Sequence, residues 1–341
     1  MPSLPRSLTA LPLLCCVLLA SAGSTATAAP PQVLRAGIVG CDAHALPWTR
    51  ILNDPNAQGK LAEMNVVAAY PGGSPDIPHS MELLKKNVEP MKKLGVEMVD
   101  SIDELLKKVD VVMLLSIDGR KHLPEARQVF PAGKPVFIDK PMGGTLAETI
   151  ALFRLAKKHD IPVFTSSSLR FAKGTIDARE NPKLGRIVGC DQYAPCPLEP
   201  HHPDYFWYGI HGVEPLFTIM GTGCVSVTRT CTEGSDVAVG VWKDGRIGVF
   251  RGIRESRRGY GSTIFGTKGI APGGGFDGYE PLIVEIIKFF QTGKAPVAES
   301  ETLEIFAFME AADESKRQGG KAVTLESVLK KAQAEARRMV P

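Results

Sequence analysis

RAGIVGCDAHALPWTRIL (Arg35 to Leu52) carries an apolar strand into a glycine and on into a helix-like segment. A strand that turns sharply at glycine and feeds a helix opens a dinucleotide-binding βαβ unit, whose G-x-G-x-x-G fingerprint gives each glycine a task. Gly40 suits the first, a tight turn, and Ala45 suits the third, close helix packing. The second place, where backbone must approach a pyrophosphate, holds Asp42. A carboxylate there adds a side chain and a negative charge. Aspartate is also among the best helix N-caps, so Asp42 is expected to cap a helix starting near Ala43. Any pyrophosphate is then expected to sit displaced from the turn.

The pattern continues downstream. Apolar runs at Asn65–Tyr70, Val96–Val99, Val109–Ser116, Pro135–Asp139 and Ile161–Thr165 alternate with amphipathic segments at Met81–Leu94, Asp103–Lys108, Leu123–Phe130 and Leu146–His159. Continuous apolar strands separated by helices describe a parallel sheet covered on both faces. Residues 33–167 therefore read as a Rossmann-like, doubly wound α/β domain. The second strand ends at Tyr70 without the Asp or Glu that holds a 2′-hydroxyl, so no preference between NAD and NADP is legible. Tyr70 is open to two readings, a stack on adenine or a plain surface tyrosine.

Beyond Phe171 the rhythm changes. Runs at Gly185–Tyr193, Val225–Arg229, Ala238–Trp242, Ile247–Arg254 and Gly259–Gly266 are divided by turn-like segments such as Lys243-Asp244-Gly245-Arg246. This spacing predicts a C-terminal α+β domain, 168–338, with a mostly antiparallel sheet. One helix leads into it near Tyr205–Met220, and three close the chain.

Composition narrows the classes. Of 341 residues 44% are hydrophobic and 23% charged, an ordinary globular balance, and a net charge of +3 gives no footprint for nucleic acid. Residues 1–29 read as a signal peptide: Arg6, the apolar run Leu11–Ala20, then Ala26-Thr27-Ala28. That run is too short for a stable membrane span. The expectation is export, to the periplasm or the extracellular space. Cys41, Cys190, Cys196, Cys224 and Cys231 remain, with Cys224–Cys231 and Cys190–Cys196 as short-range disulfide options and reduced, buried thiols as the alternative.

VFIDKPMGGTLAET (Val136 to Thr149) delivers Asp139, Lys140 and Pro141 at a strand's carboxyl end, where open α/β sheets bind ligands. With Ser116-Ile117-Asp118 and His122 before it, and Leu169-Arg170-Phe171 after it, the order and spacing resemble the Gfo/Idh/MocA family of sugar and inositol dehydrogenases. The resemblance spans essentially Val33 to Arg338. Its second signature, D-x-G-x-H-x-x-D, reads WYGIHGVE (Trp207 to Glu214) here, keeping Gly209 and His211 but placing Trp207 and Glu214 where the carboxylates stand.

The resemblance implies His211 as acceptor of a substrate hydroxyl proton and Lys140 as the cation that polarises that oxygen, with Glu214 the candidate carboxylate partner of His211. It implies cofactor contacts from Gly40, Cys41, Asp42, Ala43, Tyr70, Ser116, Asp118, His122, Asp139 and Lys140. A substrate pocket is expected from Arg170, Tyr205, Trp207 and Tyr208. Glu199, His201, His202, Asp204, His211 and Glu214 crowd sixteen positions, yet no helical H-x-x-x-H pair occurs, so no metal is expected.

The function these features imply is NAD(P)-dependent hydride transfer to or from a sugar, polyol or sugar derivative, in a chain that can form a homo-oligomer through its C-terminal sheet. The competing readings are a redox-neutral glycan lyase or hydrolase with a trapped nicotinamide cofactor, and a non-catalytic carbohydrate-binding protein. Asp42, Tyr70 and Trp207 weigh toward these, as does the scarcity of nicotinamide outside the cytoplasm.

Overall fold

The computed structural model describes residues 33–255 and 259–341. The signal peptide expected over 1–29 lies outside them. The first half runs β1 (Leu34–Val39), α1 (Ala45–Leu52), β2 (Met64–Tyr70), α2 (Pro78–Lys93), β3 (Glu97–Met98), α3 (Ile102–Leu106), β4 (Val111–Leu114), α4 (Gly119–Val129), β5 (Val136–Ile138), α5 (Leu146–Lys158) and β6 (Val163–Phe164). Its six strands are all parallel, in the order β3-β2-β1-β4-β5-β6. That is the Rossmann order, with its switch point between β1 and β4. Both faces are apolar because both are covered: Val111 to Leu114 is buried at every position. Thr145 accepts the Glu148 amide at 3.1 Å and so starts α5 where the S/T-x-x-E spacing placed it.

The second half runs α6 (Lys173–Glu180), β7 (Ile187–Pro195), α7 (Ile210–Met220), β8 (Cys224–Cys231), β9 (Ser235–Trp242), β10 (Ile247–Ile253), β11 (Gly261–Gly266), β12 (Ile270–Gly273), α8 (Glu280–Thr292), α9 (Glu299–Arg317), β13 (Val323–Thr324) and α10 (Leu325–Met339). Seven strands form one sheet, β12-β11-β7-β10-β9-β8-β13. It is antiparallel except where β7 pairs in parallel with β10. Every residue of α7 is buried, since this helix lies across the sheet. Gly212 permits the approach: a Cβ there would come 2.1 Å from the Phe250 ring.

The two halves are not consecutive blocks. Helix α8 returns to the first sheet, where Leu282, Ile283, Ile286 and Phe289 share a core with Trp48, Phe137 and Phe164. Phe164 and Phe289 meet edge to face at 4.7 Å. At about 1.5–3 kcal/mol for each fully buried large apolar side chain, this helix clamps the parallel sheet to the segment that follows the second one. The five cysteines are free thiols, and neither short-range disulfide forms. Burial pushes the Cys41, Cys196 and Cys224 thiols up to about 12, leaving them inert. No helix among the described residues is long and apolar enough to cross a membrane.

Candidate active site

A cavity of about 370 Å³ opens at the carboxyl end of the parallel sheet, lined by Ala43 and His44 after β1, Ile117 after β4, Lys140 after β5, and Trp207, Tyr208, His211, Tyr260, Phe276 and Tyr279 from the second half. Three strand ends supply its floor because parallel strands all point the same way there. The aromatic wall comes from the π-helical turn Tyr205–Gly209 and from the segments flanking β11 and α8.

Lys140 is buried, and its ammonium lies over the Tyr208 ring, 5.7 Å from the centroid. Tyr208 and Tyr260 join through their hydroxyls at 2.9 Å. The Lys140–Pro141 peptide is cis. His122, expected at the cofactor, instead holds this turn from below: its Nδ1 faces the carbonyls of Pro141 and Met142, each at 3.1 Å. Asp139 is also beneath the surface. One carboxylate oxygen accepts the Lys140 amide at 2.8 Å and the other faces His44 Nδ1 at 2.5 Å. Burial alone would raise this carboxyl, but the partnership with His44 and the charge of Lys140 outweigh it and hold it below its ordinary range.

His211 reaches the cavity from α7. Its Nδ1 meets the Ser167 hydroxyl at 2.7 Å, and burial, reinforced by Lys140 and then by His44, drives its pKa well below the usual imidazole value. Glu214 is not its partner. That carboxylate accepts from Ser166 Oγ at 2.5 Å, the Ser167 amide at 2.7 Å and Arg170 Nε at 2.8 Å. Arg170, expected at substrate, is consumed by Glu214 and Glu301 and is buried. One turn of helix separates His211 from Glu214, but Ser166 and Ser167 reach the carboxylate first.

Tyr205 is likewise displaced from the expected pocket. It is fully buried, packs against Phe250, and carries the Arg229 guanidinium 4.1 Å over its ring. Arg229 ties together Asp204, Asp236 and Asp313. The dense acid and histidine run therefore disperses: Glu199 pairs with His201 at 2.7 Å, His202 approaches Asp118 at 3.0 Å, and Asp204 joins Arg229. No group that could hold a metal ion occurs among the described residues.

The fingerprint turn is filled by its own side chain. Gly40 has φ of 90°, and a Cβ there would fall 2.5 Å from the Ser116 amide nitrogen, so glycine is required for the turn to pack on the β4 exit. Asp42 is buried; its carboxylate accepts the Ala43 amide at 3.0 Å, the Ile117 amide at 2.8 Å and the Ser80 hydroxyl at 2.7 Å. It bridges three segments and is not the N-cap of α1, a position held by His44 without a side-chain bond. Cys41 donates its amide to the Pro71 carbonyl at 2.8 Å, so the chain after β2 lies against the turn.

The remaining predicted cofactor contacts bond within the protein. Ser116 donates to Glu125 at 2.7 Å, whose carboxyl burial raises to about 8. Asp118 takes Ser74 at 2.7 Å and Arg120 at 2.7 Å. Half-buried Tyr70 packs against the core beside the first sheet.

Of the predicted residues, the cavity thus brings together Ala43, Lys140, Trp207, Tyr208 and His211. His44, His79, Tyr260 and Tyr279 were missed. The signal for His44 was available: an imidazole at the helix start, two residues past Asp42.

Residues 34–167 match the model of an oxidoreductase family with an NAD-binding Rossmann fold, Gfo/Idh/MocA. The match spans the whole of the parallel sheet and its helices. The chain is 26% identical over 159 residues to the uncharacterized oxidoreductase YhhX of Escherichia coli, covering 42% of this chain and 46% of that protein, about half its length. It superposes on a probable dehydrogenase from Thermotoga maritima with a TM-score of 0.70, at 21% identity and covering 86% of this chain and all of that one (100%). Against scyllo-inositol dehydrogenase from Lactobacillus casei, solved with bound NAD(H) and scyllo-inositol, the TM-score is 0.68 at 16% identity, covering 86% of this chain and 100% of the other. These superpositions show that the shared fold extends through the second half.

Proposed function

We propose that the chain is an NAD(P)-dependent oxidoreductase that moves hydride between a nicotinamide and a carbinol carbon of a sugar, polyol or sugar derivative. The observation that carries this reading is the cavity itself, which joins the switch point of the parallel sheet to a buried lysine and the imidazoles of His44 and His211. Open α/β sheets bind ligands at that crevice. The lining fits the nicotinamide end of a dinucleotide, with Ala43, His44 and Ile117 opening onto the space that Lys140 and Tyr208 share. At the turn the Ala43 and Ile117 amides are already bonded to Asp42, so the phosphates must be held by other groups.

The cofactor, when bound, supplies the hydride acceptor. The protein's own residues do the rest. The Lys140 ammonium stabilises a developing alkoxide, an effect magnified where water is excluded. An imidazole of the cavity, His44 or His211, takes the hydroxyl proton. Trp207, Tyr208, Phe276 and Tyr279 offer apolar faces to the ring carbons of a sugar. Purified chain should reduce added NAD+ or NADP+ stoichiometrically with one member of a panel of inositols, hexitols and hexoses. No turnover together with no dinucleotide binding by calorimetry would overturn this. Asp42's hold on the turn favours a second reading, redox-neutral catalysis or carbohydrate binding on the same fold, which that calorimetric result would support.

A further inference from the structure

Three imidazoles line the cavity, His44, His79 and His211; His79 is exposed, and of the other two only His44 has a carboxylate behind it. His211 Nδ1 faces a hydroxyl, from Ser167. His44 Nδ1 faces the Asp139 carboxylate at 2.5 Å, and that carboxylate is itself pinned by the Lys140 amide. The His44 ring is fixed on two further sides. It stacks on Trp48 with centroids 5.2 Å apart and an interplanar angle of 5°, and meets Tyr279 edge-on at 5.1 Å. Its side chain keeps 12% of its surface exposed, while Asp139 keeps 1%. An imidazole whose Nδ1–H is held by a buried carboxylate presents a bare Nε2 in a set orientation, and the carboxylate steadies the imidazolium once a proton arrives.

We propose that the His44–Asp139 pair is the acid–base centre of this cavity, with His44 Nε2 exchanging the proton of the substrate hydroxyl and Asp139 positioning it. The pairing of imidazole with carboxylate has moved across the cavity. At His211 the signature's first acid is Trp207, and Glu214 is spent on Ser166, Ser167 and Arg170. The proposal rests on the oxidoreductase reading for the substrate but not for the pair's chemistry. In the forward direction the substrate O–H bond breaks and an N–H bond forms at Nε2. In the reverse direction the same proton returns to oxygen.

The test uses the purified chain without cofactor or sugar. Diethyl pyrocarbonate attacks an unprotonated imidazole nitrogen, and peptide mapping by mass spectrometry reports each histidine separately. His44 should be modified at least about ten-fold faster than His211, and Asp139→Asn should slow His44 by about ten-fold or more. The asparagine NH2 would donate to Nδ1 and drive the proton onto Nε2. Long-range 1H–15N spectra, assigned through His44→Gln, should show a protonated Nδ1 in the wild type and the reverse in Asp139→Asn. Should Asp139→Asn not fold, the wild-type tautomer decides. Faster modification of His211, or an Nε2–H tautomer at His44 in the wild type, would overturn the proposal. So would unchanged His44 reactivity in a folded Asp139→Asn. Absence of turnover with every polyol would defeat the oxidoreductase reading while leaving these readouts intact. Conversely, turnover that survives His44→Gln would defeat the pair alone; the expected loss is about 10²–10⁴-fold.

Discussion

Asp42 follows β1 and Asp139 follows β5, with β4 between those strands in the parallel sheet; both are buried, and the charge of Asp139 bears on Asp42. They titrate in opposite senses. Asp42 is surrounded by neutral donors, two amides and a hydroxyl, which do not fully offset its burial and the charge of Asp139, so its carboxyl is raised. Asp139 has His44 and the charge of Lys140, and these more than offset the burial. The difference separates two uses of a carboxylate. Asp42 joins a turn to the β4 exit and to α2, where its hydrogen bonds matter and its charge costs. Asp139 needs its charge, because a neutral group in its place could not steady an imidazolium.

The comparison breaks first at Lys140. If the Asp139 side of the crevice carries the chemistry, Lys140→Met should lower kcat by about 10²–10³-fold, the cost of removing one preorganised donor from a developing oxyanion. KM should change little, and steady-state kinetics would show the split. A loss confined to KM would make Lys140 a binding residue only.

The fold was legible because its signals are local and repeated. The alternation of apolar runs and helices, the Thr145 cap and the Lys-Asp-Gly turn each report a local feature. What the chain hid is long-range. Nothing near Leu282 says that α8 packs back against Phe164 across more than a hundred residues. The same limit governs the site. Lys140, His211 and Tyr208 were found because a motif marks them. Arg170, Glu214, Asp118 and Tyr205 were misplaced because chemistry-bearing side chains are also what a fold uses to satisfy its own buried charges. Arg170 meets Glu301 at a separation of 131 residues, which no local pattern encodes. His44 was passed over since the fingerprint directs attention to backbone, and its importance depends on Asp139, 95 residues away.

A smaller effect sharpens the Asp42 side. Asp42→Asn keeps an oxygen for the Ala43 and Ile117 amides and can donate to a rotated Ser80 hydroxyl, while removing the negative charge. Dinucleotide binding by calorimetry should tighten by about 1 kcal/mol, roughly five-fold, the scale of a single charge near a helix start. Turnover at saturating cofactor should stay within about three-fold, because Asp42 is expected to do no chemistry. Weakened or unchanged binding would mean that its charge does not oppose the phosphates.

The smallest effect is one of stability against pH, and it has opposite signs at the two aspartates. Asp139 is depressed below its ordinary 3.8, so the unfolded chain binds more protons than the folded one between those values. Its contribution is present above 3.8 and is lost as pH falls through its folded value. Asp42 is raised above 3.8, so here the folded chain binds more protons. Its contribution is present below 3.8 and is lost as pH rises through its folded value. Urea unfolding from pH 7 down to pH 3 should therefore show the advantage of wild type over Asp139→Asn shrinking in acid. Any advantage of Asp42→Asn over wild type should be largest near neutrality and fade over the same descent. The denaturant slope should stay constant in all three proteins, so that midpoints report stability alone. Two variants whose stability differences from wild type run parallel with pH would erase the distinction, leaving both aspartates as hydrogen-bond acceptors whose charge the fold does not sense.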